Sequence, residues 1–249
     1  MDSILLREAA DKIRFSNRVV AFTGAGVSVE SGIPAFRGVG GLWSNYDPNV
    51  LDIENLTDNP LECWITIKEI FYDHFAQAKP NLAHILIAKM EEAGYLQSII
   101  TQNIDHLHQE AGSKNIIEYH GTSRRLICTS CQQSIIFSEE ILNIIPPRCQ
   151  RCNSVLKPDF VFFGEAIPLD AASQALDETR LADAWLVIGS SGEVFPASSL
   201  PVEAKQNNKF IIEINTKPSS FTYSISDIFL QGKATEILQF LYAKLKQHE

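Results

Sequence analysis

The sequence RVVAFTGAG at residues 18–26 decides the fold, because an apolar run of strand length ends there in a glycine turn. Apolar runs of the same kind occur at SIITQN (98–103), AWLVIGSS (184–191) and FIIEINT (210–216). Segments with helical periodicity lie between them, for example PNLAHILIAKMEEAG (80–94) and SLPVEAKQNN (199–208). Buried strands that alternate with helices predict an α/β fold, with a parallel sheet covered by helices on both faces.

Length and composition restrict the classes of protein that fit the chain. Its 249 residues are 45% apolar, which is enough to bury a core as one large domain or two modest ones. No apolar run approaches the length of about 18 residues that a membrane-spanning helix needs. The net charge of −9 disfavours direct binding to nucleic acid and is compatible with a basic peptide partner, although the same balance keeps many cytosolic enzymes in solution.

The first residues, MDSILLREAADKIRFSN, mix charged residues with apolar ones at helical spacing. This pattern predicts an amphipathic helix with Ile4, Leu5, Ala9 and Ile13 on one side. It lacks the apolar region and the cleavage site of a secretory leader. We therefore expect a cytoplasmic protein in a reducing environment.

Two Cys-x-x-Cys pairs, separated by 17 residues, have the spacing of a zinc ribbon. The four residues are Cys128, Cys131, Cys149 and Cys152. They predict a closed structural Zn²⁺ site with no position left for an activated water. Two disulfides or ordinary buried cysteines are the alternatives. Cys63 has no partner in this pattern and fits a small buried residue better than a nucleophile.

The carboxyl ends of the predicted strands carry the polar and glycine-rich motifs. In an open parallel sheet, ligands bind outside these ends, so the fold is expected to bring the motifs into one crevice. The segments that follow the four strands are Gly24-Ala25-Gly26, Gln102-Asn103, Gly189-Ser190-Ser191 and Asn215-Thr216.

The turn GAGVSVESG at 24–32 is typical of a phosphate-binding turn, in which glycines let the backbone approach a pyrophosphate. Val29 stands where the third glycine of the G-x-G-x-x-G pattern belongs. No acidic residue ends a following strand about 20 positions later to bind a ribose. The departure disfavours an ordinary hydride-transfer dehydrogenase, and a plain tight turn remains the alternative.

Amide and imidazole side chains supply the other chemistry. The amides of Gln102 and Asn103 suit ribose hydroxyls and a carboxamide such as that of nicotinamide. His106 and His108 are two residues apart, cannot share a helix face, and are interpreted as scaffold. His120 lies in a short strand-like run at 118–121 and is followed at once by glycine, and a neutral imidazole is a suitable general base.

Two further loops combine aromatic and polar residues. In IPAFRG (33–38), Arg37 is suited to neutralise a phosphate and Phe36 to shield a reactive centre from water. The run VFFGE (161–165) is either a buried strand or an edge that pairs with an extended peptide. Composition does not separate these two interpretations.

Seven motifs in fixed order, GAGVSVESGIPAFRG, TQNID, YHG, the paired CxxC, FFGE, GSS and INT, resemble the sirtuin family of NAD-dependent protein deacylases, in its short bacterial and archaeal form. The likeness spans residues 4–245. It implies a Rossmann-like large lobe (about 1–38, 86–124 and 155–249) and a small lobe. The small lobe would combine a helical insertion (about 39–85) with a zinc ribbon (about 125–154), and the cleft between the lobes would bind NAD and an acyl-lysine peptide.

The resemblance also implies roles for single residues. His120 would be the catalytic base, assisted by Asn103. NAD would contact Gly24, Ala25, Gly26, Ser28, Phe36, Arg37, Trp43, Gln102, Asn103, Ile104, Asp105, Gly189, Ser190, Ser191, Asn215, Thr216 and Ala234. The peptide would contact Val161, Phe162, Gly164, Glu165, Gly192, Glu193 and Val194, and the zinc ligands would be the four cysteines above.

The implied reaction is attack of the acyl-lysine carbonyl oxygen on the nicotinamide ribose, followed by release of free lysine and O-acyl-ADP-ribose. A Tyr and an Arg that bind a succinyl carboxylate in one branch of the family are replaced here by Ile67 and Ile70. An apolar pair cannot neutralise a buried carboxylate, so acetyl or longer neutral acyl groups are expected. Ala35 and Gly192 also depart from the usual pattern. The alternatives are a mono-ADP-ribosyltransferase and a weakly active NAD-binding or peptide-binding module, and a monomer is favoured.

Overall fold

The computed structural model describes residues 3–36, 40–75 and 77–247. The strands in these residues are β1 (Val19–Thr23), β2 (Ser98–Thr101), β3 (Ile116–Glu118), β4 (Gly121–Cys128), β5 (Ser134–Ile136), β6 (Leu156–Phe160), β7 (Ala184–Ile188), β8 (Phe210–Asn215) and β9 (Ile228–Gln231). The α-helices are α1 (Ser3–Phe15), α2 (Ile53–Asp58), α3 (Pro60–Ile67), α4 (Leu82–Glu92), α5 (Leu107–Glu110), α6 (Leu169–Leu181), α7 (Ser199–Gln206) and α8 (Ala234–Lys246). A π-helical turn, Lys68–His74, continues α3.

Six strands form one parallel sheet in the order β3-β2-β1-β7-β8-β9. Numbered within this sheet alone, the order is 3-2-1-4-5-6, which is that of the Rossmann fold. Every residue of β1, β2 and β7 is buried, which is why these strands appear in the sequence as continuous apolar runs. The predicted Rossmann-like parallel sheet is confirmed.

Helices cover both faces of this sheet. One core joins the sheet to α1, α4 and α8, and the other joins it to α6 and α7. Along β1, Val19 and Ala21 point into the first core, whereas Val20 and Phe22 point into the second. The alternation leaves neither face of the sheet exposed at its centre.

The predicted N-terminal helix exists as α1, but one residue of its expected buried side is wrong. Ala9 and Ile13 are buried, whereas Ile4 is 74% exposed and Leu6 takes its place in the core. The buried side of α1 is the side that packs against α8 and β9. It lies about half a helical turn away from Ile4. In the part of the chain that the structure describes, no helix combines the length and the apolar composition needed to cross a membrane.

The small domain combines the helical insertion with an antiparallel sheet in the order β5-β4-β6. One core cluster contains residues of both parts, including Trp64 of α3 and Leu126 of β4. The indole Nε1 of Trp64 donates a hydrogen bond to the carbonyl of Leu156 at 2.8 Å. Cys63 is buried in the same cluster, and burial raises the pKa of its thiol, which disfavours a nucleophilic role.

We propose boundaries for this domain that differ from those expected from the sequence. A boundary near residue 85 falls inside α4, whose Ala83, Ile87 and Met90 lie in the core of the large sheet. The antiparallel sheet begins at Gly121 and ends at Phe160, beyond the expected 125–154. We therefore place the small domain at about 40–80 and 121–160.

The run VFFGE follows the end of a strand, so its interpretation as a buried strand is wrong. Strand β6 ends at Phe160, and Phe163 pairs instead with the segment before α2. Its N–H donates to the carbonyl of Leu51 at 2.7 Å, and its carbonyl accepts from the N–H of Ile53 at 3.1 Å. The aromatic residues are distributed between the core and the surface, since Phe162 is buried and Phe163 is exposed.

Glu213, in the middle of β8, is a fully buried carboxylate that no cation pairs with in the described residues. Three hydroxyls donate to it: Ser219 at 2.6 Å, Thr222 at 3.0 Å and Ser226 at 2.7 Å. These bonds attach the loop between β8 and β9 to the central sheet. They also satisfy a charge that would otherwise be costly to bury.

We expect Glu213→Ala to lower the free energy of unfolding by about 2–4 kcal/mol, because the buried hydroxyl of Thr222 and the part-buried hydroxyls of Ser219 and Ser226 lose their acceptor. Urea and thermal unfolding measure the change. The matched control is Ser224→Ala in the same loop, whose exposed hydroxyl bonds only to the carbonyls of Ser220 and Phe221. The control should change stability by no more than about 0.5 kcal/mol. Equal effects of the two variants would show that Glu213 does not anchor the loop.

Candidate active site

The structure brings the four motif segments together at the carboxyl edge of the large sheet. The N–H of Gly24 donates to the carbonyl of Ile188 at 3.0 Å, which joins the ends of β1 and β7. Ser190 links two further segments, because its hydroxyl accepts from Gln102 Nε2 at 3.0 Å and its carbonyl accepts from Asn215 Nδ2 at 3.0 Å. The crevice therefore lies at the point where the strand order reverses, which is where open α/β sheets bind ligands.

The glycine turn packs directly against the end of β7. The N–H of Gly26 donates to the carbonyl of Gly189 at 2.9 Å. A Cβ atom on Gly26 would lie 2.6 Å from the Cα of Gly189, so no side chain fits there. A short 3-10 helix, Ala25–Ser31, follows instead of an α-helix. The close approach leaves the backbone of the turn at the crevice without intervening side chains.

Asn103 lies at the centre of the crevice with 7% of its surface exposed. Its Nδ2 donates to the carbonyl of Gly24 at 3.3 Å and to the hydroxyl of Ser28 at 3.2 Å. The same hydroxyl donates to the Asp105 carboxylate at 2.6 Å, and burial raises the pKa of that carboxyl group. Ile104, the residue between them, is partly buried and packs against the small-domain core. Residues 103–105 and Ser28 are thus held as one hydrogen-bonded group.

His120 lies just after β3 and is partly buried. Its Nδ1 is 3.1 Å from the carbonyl oxygen of Gln102. A carbonyl only accepts, so Nδ1 carries the hydrogen and Nε2 presents a free lone pair. Burial lowers the pKa of this imidazole, and the bond to Gln102 partly offsets the shift. The ring is therefore neutral at pH 7 and able to accept a proton at Nε2.

The residues expected on the cofactor loop lie on the small-domain side of the crevice. The rings of Phe36 and Trp43 are 5.4 Å apart between centroids, and the N–H of Trp43 donates to the carbonyl of Phe36 at 3.1 Å. Both rings are partly buried against the small-domain core. Arg37, the proposed phosphate ligand, lies outside the described residues.

The residues that the resemblance assigns to the adenosine half of NAD are Asn215, Thr216 and Ala234. Thr216 is exposed after β8, and its N–H donates to Asn215 Oδ1 at 2.9 Å. Ala234 is buried at the first position of α8. Ser191 is exposed, and its carbonyl accepts from the N–H of Ser220. Ser191 and Thr216 thus follow β7 and β8 at the carboxyl edge of the sheet, whereas Ala234 begins the helix after β9.

Gly192 has a structural reason to depart from the family pattern. Its backbone is left-handed, with φ of 73°, and a Cβ atom would lie 2.1 Å from the hydroxyl of Ser220. That hydroxyl donates to the carbonyl of Gly192 at 3.0 Å. A larger residue therefore requires a different position for the loop at Ser220. Glu193 next to it is exposed, and Val194 is partly exposed.

On the opposite wall, Glu165 is engaged within the protein. Its Oε2 accepts from the N–H of Phe162 at 2.9 Å and from Lys157 Nζ at 2.9 Å. Lys157 also donates to the carbonyl of Phe160 and lies 4.7 Å from the centre of the Phe162 ring. The N–H of Val161 donates to the carbonyl of His120 at 2.9 Å, which attaches this wall to the proposed base. Gly164 is exposed at the tip of the turn.

Several polar residues that contact the candidate site were not predicted from the sequence. Lys157 gives no signal in the sequence, because a lone lysine in a strand is usually exposed. His84 and Thr23 come from α4 and β1 and contact Ser28 and Thr101 respectively. His84 appears in the sequence as one polar residue of an apolar helix, and only the fold brings it to the crevice.

The four cysteines of the ribbon converge. Their sulfurs all lie within 4.8 Å of one another, with Cys128 to Cys152 at 3.4 Å and Cys131 to Cys149 at 3.7 Å. A tetrahedral zinc with Zn–S bonds of about 2.3 Å places sulfurs about 3.8 Å apart. The same separations exceed the bond length of a disulfide, about 2.05 Å. The backbone N–H groups of Ser130 and Cys131 point at Cys128 Sγ at 3.4 Å, as suits a thiolate. The residues fit a structural Zn²⁺, and no disulfide is formed.

Sheet order, glycine turn and polar crevice define the class: an α/β protein built to bind a dinucleotide, with a structural metal in its second domain. The model of the Sir2 family matches residues 24–196. An NAD-dependent protein deacylase of Thermococcus sibiricus is 42% identical over 250 residues, which cover 98% of this chain and 97% of that protein. Its counterpart from Pyrococcus furiosus is also 42% identical, with 98% and 99% covered.

Solved structures agree with these relatives. A mutant Sir2 homologue in complex with ADP-ribose has a TM-score of 0.91 at 39% identity, covering 100% of this chain and 98% of that one. A complex of Sir2 with a p53 peptide and NAD⁺ has a TM-score of 0.88 at 36% identity, covering 96% and 98%. The chain belongs to the Sir2 family, the sirtuins, and the resemblance found in its motifs is confirmed.

Proposed function

We propose that the chain is an NAD-dependent protein-lysine deacylase that transfers the acyl group to ADP-ribose and releases nicotinamide. The observation that carries the proposal is His120, a neutral imidazole whose Nδ1–H is held by the carbonyl of Gln102, so that Nε2 keeps the lone pair that accepts a proton. The relatives named as NAD-dependent deacylases, and the Sir2 complex with peptide and NAD⁺, support the same reaction.

Each wall of the crevice has a proposed task. Gly24, Ala25 and Gly26 present backbone to the pyrophosphate, with Ser190 and Ser191 of the neighbouring strand beside it. Gln102, Asn103, Ile104 and Asp105 surround the nicotinamide ribose and its carboxamide. Asn215, Thr216 and Ala234 border the adenosine half, while Phe36 and Trp43 exclude water. Residues 161–165 and 192–194 hold an extended peptide between them.

When bound, NAD supplies an electrophilic ribose carbon and a nicotinamide leaving group. The chain contributes orientation and proton transfer. Asn103, held on three sides by hydrogen bonds, orients the ribose. His120 accepts a proton at Nε2 and passes it on when the products leave. The zinc module takes no part in the chemistry, because all four of its ligand positions are sulfur.

The experiment that tests the proposal is incubation of purified protein with an acetyl-lysine peptide, with and without NAD, followed by mass spectrometry. We expect deacylated peptide and free nicotinamide only when peptide and NAD are both present. Nicotinamide release with ADP-ribose attached to protein would identify a mono-ADP-ribosyltransferase instead. Binding of NAD and peptide with neither product would identify a binding module.

The acyl preference is predicted from Ile67 and Ile70, which are both buried in the small-domain core. We expect kcat/KM for a succinyl-lysine peptide to be at least about 10²-fold below that for acetyl-lysine, because a buried unpaired carboxylate costs several kcal/mol. The control is a propionyl-lysine peptide, which adds bulk without charge and should stay within about 10²-fold of acetyl-lysine. Equal or faster turnover of the succinyl peptide would contradict the assignment.

Two properties of the protein in the cell follow as proposals. Thiolates that bind zinc must stay reduced, so we place the protein in the cytoplasm. We also propose that it acts as a monomer, without nucleic acid, because the charge of −9 opposes polyanion binding. Light scattering at working concentration tests whether the protein is a monomer, and two copies per particle would overturn that proposal.

A further inference from the structure

Two buried histidines lie beneath the crevice, outside the set of residues to which a role has been given so far. His84 is on α4 and His108 is on α5, and both are essentially inaccessible to solvent. Their ring centroids are 5.0 Å apart in an edge-to-face arrangement. Each ring contacts a hydroxyl group that leads to Asn103.

The first chain of hydrogen bonds starts at the beginning of α4. The backbone N–H of Asn81 donates to His84 Nδ1 at 3.3 Å, so Nδ1 is the acceptor and Nε2 carries the hydrogen. Nε2 then donates to the hydroxyl of Ser28 at 3.3 Å. Because Ser28 already receives this hydrogen and another from Asn103 Nδ2, its own proton is directed to Asp105. The side-chain amide of Asn103 is oriented by this chain.

The second chain reaches the main chain of the same residue. His108 Nε2 is 3.0 Å from the hydroxyl of Thr23, which donates to Thr101 at 2.8 Å. The hydroxyl of Thr101 accepts from the backbone N–H of Asn103 at 3.0 Å. His108 Nδ1 is buried without a partner. An orphaned lone pair is less costly than an orphaned N–H, so the hydrogen of His108 also resides on Nε2.

We propose that His84 and His108 are positioning residues: as Nε2–H imidazoles they fix the direction of two hydrogen-bond chains that converge on Asn103 and hold it in one orientation toward the nicotinamide ribose. The role in turnover rests on the proposed function, whereas the proton positions do not. Burial lowers the pKa of His84 to about 4 and that of His108 to about 3, which agrees with rings that stay neutral as they donate.

The proton positions are tested first, on the full-length zinc-loaded protein. Long-range ¹H–¹⁵N spectra of the imidazoles distinguish the two tautomers and the charged ring. His84→Gln and His108→Gln variants assign the signals. We expect both rings to be neutral Nε2–H tautomers throughout pH 6–8. An Nδ1–H tautomer or a charged ring at pH 7 for either residue would overturn the proposal, whether or not the protein is a deacylase.

The kinetic test compares two replacements of His108. His108→Leu fills the space without a donor, whereas His108→Gln keeps a donor nitrogen close to the position of Nε2. We expect the Leu variant to lower kcat about tenfold with the KM for peptide unchanged, and the Gln variant to recover most of the loss. His106→Asn is the matched control, because His106 lies in the same segment and belongs to neither chain. Asparagine adopts the left-handed backbone conformation found at residue 106, so this variant should leave kcat unchanged.

A double-mutant cycle separates positioning from a general effect on the fold. Because both chains act through Asn103, adding His108→Leu to Asn103→Ala should cost no further activity. Fully additive losses, or a Gln variant as impaired as the Leu variant, would show that His108 only fills the core. Thermal unfolding and zinc content are compared in parallel. Wild-type protein that fails to deacylate would refute the proposed function alone and leave the spectra to decide the proton positions.

Discussion

His120→Ala should lower kcat for deacylation by about 10²–10⁴-fold, because a positioned general base contributes a factor of that size. The ring is partly buried, and within the described residues its side chain hydrogen-bonds to the carbonyl of Gln102. Its loss should therefore leave thermal unfolding, zinc content and NAD binding close to those of the wild type. Steady-state kinetics with an acetyl-lysine peptide measure the change. Turnover close to the wild-type rate would remove the catalytic assignment.

The same assignment predicts the pH dependence of the wild-type enzyme. A base acts when it is unprotonated, so kcat/KM should fall as the pH drops through the pKa of His120. Burial lowers that pKa below the ordinary value of about 6.5. The acid limb should thus have its midpoint below about 6.5, with full activity at pH 7. An acid limb centred above pH 7 would contradict a buried neutral imidazole as the base.

The second large effect is expected from Cys128→Ser, which should abolish stoichiometric zinc binding and unfold the small domain. Structural zinc contributes about 10–16 kcal/mol of apparent binding free energy in zinc-finger peptides, so its loss exceeds what a small core can offset. Cys128 and Cys149 lie inside the same core cluster as Trp64, which couples the metal site to the helical insertion. Metal analysis and thermal unfolding measure the two effects.

Cys63→Ala is the matched control for that experiment. Cys63 is buried in the same cluster but is not one of the four converging thiols. Its replacement removes one sulfur atom from the core and should cost about 1 kcal/mol while zinc content stays at one per chain. If Cys128→Ser kept its metal and its stability, the structural zinc assignment would be wrong.

The strands buried on both faces were predictable from the sequence. β1, β2, β7 and β8 lie in mainly apolar segments, and strands at the centre of a parallel sheet are buried on both faces. The strands at the edges of the sheet were harder to predict from the sequence. β9 has four residues with one exposed at its end, and β3 ends at Glu118, the first residue of the strand-like run predicted at 118–121. Short edge strands depend on their single neighbour more than on their own sequence.

The sequence predicted which segments form the site, but it did not predict the contacts that other elements make with them. Because the four crevice motifs each follow a strand, the rule for parallel sheets places them together without further information. Lys157 and His84 are different, since each reaches the site from an element whose position is set only by tertiary packing. The two interpretations of the run at 161–165 could not be separated from the sequence for the same reason. Its partners, Leu51 and Ile53, are more than 100 residues away in the chain.

The most direct test of the account is the stoichiometry of products in one reaction with an acetyl-lysine peptide and NAD. Nicotinamide, free-lysine peptide and O-acetyl-ADP-ribose are counted together by mass spectrometry as the reaction proceeds. We predict that the three accumulate in a ratio of about one to one to one, because a single glycosidic bond is broken for each acyl group removed. Deacylated peptide that appears while NAD stays intact, or free acetate as the acyl product from the start, would contradict it.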